Sequence, residues 1–518
     1  MTGNAAIPRI TRRAFTQQAG ATGLMLGIAP RALAASPKKG GRFRLGLTGG
    51  SSSASLDPAT YGTSTTQIAM LNVCNNLCEI DHTGNVVPEL AESWETSPDA
   101  RTWTFKLRKG IKFHNGKTFT AEDVVANFNH HRGEASKSGA KTILSGIKEI
   151  RTDGPHTVIF ELNSGNADFP FVTTDYHLVI FPSSEGKIDW QSGAGTGGYE
   201  LTDFQPGLRM SMTRHPDYWK EGRAHFDEVE ITNINDSTAR TNALAVGDVD
   251  AINDVDVNTV HLLKRRQGIE IDEVTGTQHY TLPMFCDQAP FDDVNVRLAL
   301  KYAIDRQALV DTVLSGYGRV GNDSPITPAN RFFNAEMEQR SYDPDRAKHH
   351  LKKAGMDSLS VDLHASDAAF NGAVDTAVLF KEHAQKANIT VNVAREPEDG
   401  YWSDVWLKTP FCTSYWNGRP TEDAMFSLAY AADAQWNESH WQNERFNELL
   451  VAARAELDED KRRSMYHEMQ ELVKDDGGTI IPMYASYVFA HSDRIAHGEL
   501  ASNRALDGWK AIERWWMA

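Results

Sequence analysis

Stretches with a strand period and stretches with a helix period alternate irregularly from Phe43 to the C-terminus, which restricts the chain to a mixed α/β architecture and excludes a sandwich or a helix bundle. Phe43, Leu45 and Leu47 alternate with Arg42, Arg44 and Gly46, the pattern of a strand with one buried face. Residues 102 to 108 repeat it with Trp103, Phe105 and Leu107, and further strands are predicted at 157 to 162, 228 to 232, 359 to 363 and 389 to 393. Thr120 is placed to cap a helix with Val124, Val125 and Phe128 on one face, and Asp123 completes a variant of the capping box. Val294, Leu298, Tyr302, Leu309 and Val313 predict one helix from Val294 to Leu314, stopped at Gly316. Residues 444 to 475 read as two amphipathic helices broken at Leu457-Asp458-Glu459-Asp460. No fixed-period repeat, low-complexity segment or clean linker interrupts this order, as expected of domains joined by several chain crossings.

At 518 residues the chain is long enough for several compact units, and 40% hydrophobic with 24% charged residues is an ordinary globular balance. A net charge of −16 argues against nucleic acid as a partner, because displacing counterions from phosphates takes a basic surface.

Residues 1 to 34 are expected to be a signal peptide: a basic region from Arg9, a short apolar stretch rich in Gly and Ala, then the small-x-small site Ala32-Leu33-Ala34. Thr11-Arg12-Arg13-Ala14-Phe15 resembles a twin-arginine export signal. No cysteine precedes Cys74, so none stands beside the cleavage site to carry a lipid. The expectation is a freely diffusing periplasmic protein and not a lipoprotein. Cys74, Cys78, Cys286 and Cys412 are too few for a disulfide scaffold and are expected to be buried free thiols, with Cys74 and Cys78 on a helix.

Gly110 to Thr118 imitates a phosphate-binding loop, but five residues separate its glycines where four are needed, and Asn115-Gly116 reads as a turn. The common signatures of hydrolases, zinc proteases and dinucleotide enzymes do not occur. His130-His131 and His349-His350 read as solvated helix faces, and Trp515-Trp516 as an apolar anchor for the tail. No catalytic activity, cofactor or metal is expected.

A larger pattern runs through Leu56-Asp57-Pro58-Ala59-Thr60-Tyr61, then PELAESWETSPDARTWTFKLRKGIKFHNGKTFTAEDVVANF from Pro88, and Thr196-Gly197-Gly198-Tyr199. It continues through His215-Pro216-Asp217-Tyr218-Trp219, Gly247-Asp248-Val249-Asp250, Pro290-Phe291-Asp292-Asp293-Val294 with Arg297-Leu298-Ala299-Leu300, and Tyr342-Asp343-Pro344. In this order the motifs resemble the extracytoplasmic solute-binding proteins of family 5, which serve peptide, nickel and opine ABC importers. The resemblance implies a periplasmic binding protein-like class II fold, a two-lobed clamshell with an additional small domain of the cluster C type. It places the first lobe at 35–78, 190–281 and 481–518, the inserted small domain at 79–189 and the second lobe at 282–480. It also implies a monomer that takes a small-molecule or peptide ligand and delivers it to the importer's permease subunits. Differential affinity of the ligand for the closed form drives closure in such a protein.

In peptide-binding relatives an acidic residue shortly after a Trp of the second lobe takes the ligand's amino terminus. Here Trp416 is followed by Asn417, Gly418 and Arg419, and the nearest carboxylates, Glu422 and Asp423, come later. Three readings stay open. Glu422 or Asp423 turns inward and holds an ammonium; Arg419 lines the pocket and holds a carboxylate or phosphate, as in an opine, an acidic peptide or a sugar-phosphate conjugate; or Arg419 pairs with Asp423 and shapes the loop. The resemblance adds Tyr61, Gly197, Asn253 and Asp254 on the first lobe. It places Cys286 and Asp287 near the crossing between lobes, and Tyr401 and Trp402 with Trp416 as flat apolar walls. A secreted peptide hydrolase and a chaperone-like receptor on the same fold are the rival functions.

Overall fold

Two long strands, Ile269–Pro283 and Thr479–Ser492, pair antiparallel and tie the molecule together. The computed structural model describes residues 37–134 and 136–518. The expected signal peptide lies outside them. Register runs from Ile269 opposite Ser492 to Thr275 opposite Ser486, then shifts, so that Gly276, Thr277 and Gln278 face Ala485 alone before His279 meets Tyr484. Extra residues on one strand of a pair bend it and sharpen its twist. The Thr479–Ser492 strand accordingly feeds separate cores: Ile480, Met483 and Ala485 join one, Phe489 a second, Val488 and Ala490 a third.

On the Ser492 side of the bulge, the nine-stranded sheet continues through Ala251–Ile252 and Arg42–Leu47, which pair parallel, and through Glu228–Asn233, parallel to Arg42–Leu47. The hairpin of Tyr199–Gln205 and Arg209–Arg214 completes this edge. Phe43, Leu45 and Leu47 are fully buried there with Val229, Ile231 and Trp515, as their alternation predicts. On the other side, Ser414–Trp416 pairs with His279–Thr281 at one edge, and Gly318–Val320 pairs with Val320 opposite Met483. A parallel pair, Leu359–Ala365 and Ile389–Arg395, is joined by the helix Ala373–Gln385 and packs on the same core as Leu282, Leu300 and Phe380.

A separate four-stranded antiparallel sheet orders Ala91–Thr96, Thr102–Leu107, Thr157–Leu162 and Ile147–Thr152 around Phe105, Phe128 and Phe160. Its helix Ala121–His130 starts as predicted, the Asp123 carboxylate accepting the Thr120 backbone N–H at 2.9 Å. Helices Glu444–Ala455 and Glu459–Asp475 also match the predicted break.

Three local expectations are corrected. Val294 to Leu314 is two helices, Val294–Tyr302 and Arg306–Val313, because the Asp305 side chain caps the second by accepting from Ala308 N–H at 3.1 Å. Cys74 and Cys78 share no helix: the helix Ser64–Val73 ends before Cys74, and Cys78 opens the strand Cys78–Ile80. His131 is not on a solvated face but fully buried against Ser138. All four cysteines are free, Cys286 half-buried and the others buried. Among the described residues no helix is long and apolar enough to cross a membrane.

Candidate functional site

The strand Ser414–Trp416 lies on the crossing strand just past the bulge, and the chain then turns through Asn417-Gly418-Arg419-Pro420 into the helix Glu422–Ala429. A side chain at Gly418 would put its Cβ 1.7 Å from Thr277 Oγ1, so only glycine lets the turn rest on the bulge. Gly276 is equally constrained, a Cβ there falling 2.2 Å from Tyr487 Cε2. Arg419 emerges from this turn with Nη1 donating to its own loop at the Asn417 carbonyl, 2.8 Å away, and its guanidinium 5.8 Å from the Trp416 ring centre. No carboxylate pairs with it among the described residues. Burial pushes its pKa down, and the like charge of Arg504 pushes it further.

Arg504 arrives from the C-terminal segment, its guanidinium 4.2 Å from the Trp509 ring centre and 5.1 Å from that of Tyr176. It too has no ion-pair partner among the described residues. The segment is pinned from behind: the Lys510 ammonium donates to Leu71 O at 2.6 Å, and Asn72 Nδ2 donates to Trp509 O at 3.1 Å. Leu506, Asp507 and Trp509 are held at φ of 50°, 59° and 67°, a left-handed strain that non-glycine residues accept only where the surroundings impose it. Tyr487, half-buried on the crossing strand beside Thr277, feels both the Arg504 cation and the Asp254 anion. Asp254 is exposed and has no ion-pair partner among the described residues, so a separated pair of opposite charges flanks Tyr487.

Beyond Trp416 a chain of rings continues through Trp436 at 6.0 Å, Trp406 at 6.2 Å from Trp436, and Trp402 at 5.6 Å from Trp406. Trp402 also contacts Tyr415, 5.7 Å between centres. Beneath them the buried Glu438 carboxylate accepts from Thr281 Oγ1 at 2.8 Å, Trp406 Nε1 at 2.9 Å and Trp416 Nε1 at 3.1 Å. Burial raises its pKa, and these donors partly offset that. Glu438 thereby fixes the edge-on orientation of two indoles. The wall can accept a flat or apolar solute, and the two guanidiniums an anionic group.

Several sequence-predicted contacts lie elsewhere. Asp423 neither turns inward nor meets Arg419: Arg454 Nε donates to it at 3.0 Å. Glu422 is buried and accepts from Phe332 N–H at 2.7 Å. Tyr61 is buried in the first sheet's core, and Gly197 is packed against Asn72 and Val73, its carbonyl 3.0 Å from His114 Nε2. Cys286 and Asp287 lie beyond the end of the crossing strand, the first against Gly478, the second 3.0 Å from His440 Nδ1, and so not at the crossing. Tyr401 is core, its hydroxyl donating to Thr413 O at 2.7 Å. Asn253 has its side-chain oxygen occupied by Thr48 N–H at 2.9 Å, which leaves Asp254 as the free group of that pair. Sequence reading missed Arg504, Trp509, Tyr176, Trp406, Trp436 and Glu438. The density of tryptophan between Trp402 and Trp441 was the available signal for Trp406 and Trp436; Arg504 had none.

Several cores strung on shared crossing strands, with aromatic rings and charges where the strands cross, give a site shaped to hold a solute. The chain belongs to the bacterial extracellular solute-binding proteins, family 5, whose middle-region model matches residues 85–438. Heme-binding protein A of Haemophilus influenzae is 26% identical, over 83% of this chain and 84% of that protein. Di/tripeptide-binding protein 1 of Pseudomonas aeruginosa is 25% identical, over 86% and 89% respectively. Among solved structures, HbpA2 from Haemophilus parasuis matches with a TM-score of 0.79 at 22% identity, covering 90% of this chain and 99% of that one.

Proposed function

We propose that this chain is the periplasmic binding component of an ABC importer and that its solute carries a carboxylate or phosphate, held between Arg419 and Arg504. The observation that carries the reading is that these two guanidiniums, close enough to repel, rest on aromatic rings and lack carboxylate partners among the described residues. Like charges left facing each other cost free energy that an anion placed between them recovers. Asp254, across Tyr487, supplies a counter-charge for an ammonium, so a zwitterion suits the site: an acidic short peptide or an opine. A sugar-phosphate conjugate is the alternative favoured by the guanidinium pair alone.

In this reading the bulge at Gly276 to Gln278 serves as the hinge. Segments 35–78, 190–281 and 481–518 move as one lobe, 282–480 as the other, and 79–189 rides as an inserted domain. Export by the twin-arginine route, a monomeric state and docking of the closed form on permease subunits complete the proposal. The related proteins bear names as different as heme-binding and di/tripeptide-binding, so kinship alone does not choose the ligand.

The test is mass spectrometry of the solute that co-purifies with the protein, followed by titration of that solute into stripped protein. An anionic or zwitterionic solute that binds saturably and is recovered with unchanged mass supports the proposal. A cationic or uncharged solute rejects the anion site, and a changed mass supports a hydrolase. Binding at a hundredfold excess over Kd adds roughly 2.7 kcal/mol of stability, enough to follow by melting.

A further inference from the structure

We propose that Asp272, His491 and His497 form a binding site for one divalent transition-metal ion of the zinc type, separate from the solute site. Asp272 and His491 come from the two crossing strands at their first-sheet end, diagonal to each other because Asp272 pairs with Phe489 and His491 with Glu270. His497 follows the next short strand, Ile495–Ala496, which pairs with the C-terminal strand Trp516–Met517. The three side chains offer ligand atoms all within 4.8 Å of one another.

The hydrogen bonds on the far ring nitrogens are those of a metal site. His491 Nδ1 lies 2.9 Å from Ser492 O, and His497 Nδ1 lies 2.7 Å from Gly498 O. A carbonyl oxygen only accepts, so each Nδ1 carries a proton, and Nε2 is the ring nitrogen left to bind a metal. Asp272 Oδ2 lies 3.1 Å from His491 Nε2 and 3.2 Å from His497 Nε2. That oxygen is buried and has no partner in hydrogen-bond geometry. A cation placed among these three atoms satisfies all of them at once.

Their spacing suits one. Bonds of about 2.0–2.1 Å to a tetrahedral zinc ion set donor atoms roughly 3.3 Å apart, and backbone carbonyls on the far imidazole nitrogens are the usual second support of a metal-bound histidine. Two imidazoles and a carboxylate select zinc, nickel or copper over magnesium or calcium, with water left for the fourth position. Trp515 closes one side, its ring centre 5.0 Å from that of His497 and 5.5 Å from that of His491. An ion here staples both crossing strands to the segment that leads on to Arg504, and so stiffens one side of the solute site.

The experiment uses metal-stripped full-chain protein and zinc chloride alone. Diethyl pyrocarbonate labelling mapped by peptide mass spectrometry reads each histidine in the wild-type chain, with exposed His261 and His349 as internal controls. Zinc is expected to slow modification of His497 at least tenfold while leaving the controls unchanged. Elemental analysis after gel filtration should give one zinc per chain, falling below a tenth in His497→Gln and in Asp272→Asn. Equal labelling of His497 with and without zinc overturns the site, as does full retention of zinc by both variants; the three residues are then a hydrogen-bonded charge cluster. Neither readout involves the solute, so either outcome is independent of the proposed ligand.

Discussion

Asp423 is bound by Arg454, Nε to Oδ1 at 3.0 Å, and this pairing leaves Arg419, four residues earlier, without an acid of its own. The charge that a local reading would have cancelled within the loop is therefore available to a solute. Arg504 opposes it from the C-terminal segment in the same unpaired condition.

Arg419→Ala and Arg504→Ala are each expected to weaken binding of the co-purified solute by about 10- to 150-fold, the loss of charge-assisted hydrogen bonds worth about 1.5–3 kcal/mol. Calorimetric titration checks this. Melting temperature in the absence of solute should hold or rise, because either change removes a like-charge contact. Wild-type affinity in both variants would remove the guanidinium pair from the site.

The ring chain includes two exposed indoles, Trp402 at 40% and Trp436 at 37% exposure. Surface positions of that kind contribute little to folding, so Trp436→Ala should shift the melting temperature by about 1 °C. Solute affinity is expected to drop about tenfold, the usual scale for losing an aromatic anchor. Intrinsic fluorescence provides a second readout: solute should quench wild-type emission, and the change should shrink in the variant.

Much of the fold was legible because alternation is a local signal: Leu359, Val361, Leu363 and Ala365 are buried in turn along their strand, as the pattern predicts. The single helix expected from Val294 to Leu314 failed where helical periodicity stayed in phase across Asp305, whose capping role carries less weight in a pattern than five spaced apolar residues. Arg419 was legible as a departure from the peptide-binding pattern. Arg504 was not, because its place depends on Lys510 reaching Leu71 and Asn72 reaching Trp509, contacts over more than four hundred residues of sequence. Cys286, beyond the end of the crossing strand, and Tyr401, at the start of a short helix with its hydroxyl on Thr413, misled because proximity in sequence to family motifs does not fix what a side chain packs against.

Gly418→Ala should be far more damaging than an exposed turn glycine suggests. Its Cβ would meet Thr277 Oγ1 at 1.7 Å and Thr277 Cβ at 1.9 Å, and rotation of the threonine relieves only the first. Overpacking of this sort costs about 1–3 kcal/mol, and the turn must lift off the bulge. The expected result is a lowered melting temperature together with weaker solute binding, because Arg419 moves with the turn. A variant that melts and binds as wild type would show that the turn does not depend on this contact.

His279 sits directly beneath that turn, fully buried, with Nδ1 3.1 Å from Thr277 O and Nε2 unpartnered. Burial, aided by the nearby Arg419 charge and only partly opposed by the Thr277 carbonyl, lowers its pKa to about 4 from an ordinary 6.5. Between those values the unfolded chain binds a proton that the folded chain excludes, so stability falls as pH drops from 6.5 toward 4 and is insensitive to this group above 6.5. At pH 4.5 the loss amounts to about 2–3 kcal/mol. His279→Gln cannot take up that proton. Urea unfolding at pH 7 and pH 4.5 should therefore show the wild type losing that much more than the variant over the interval. Equal losses in the two proteins would mean that His279 is solvated or already charged in the folded state.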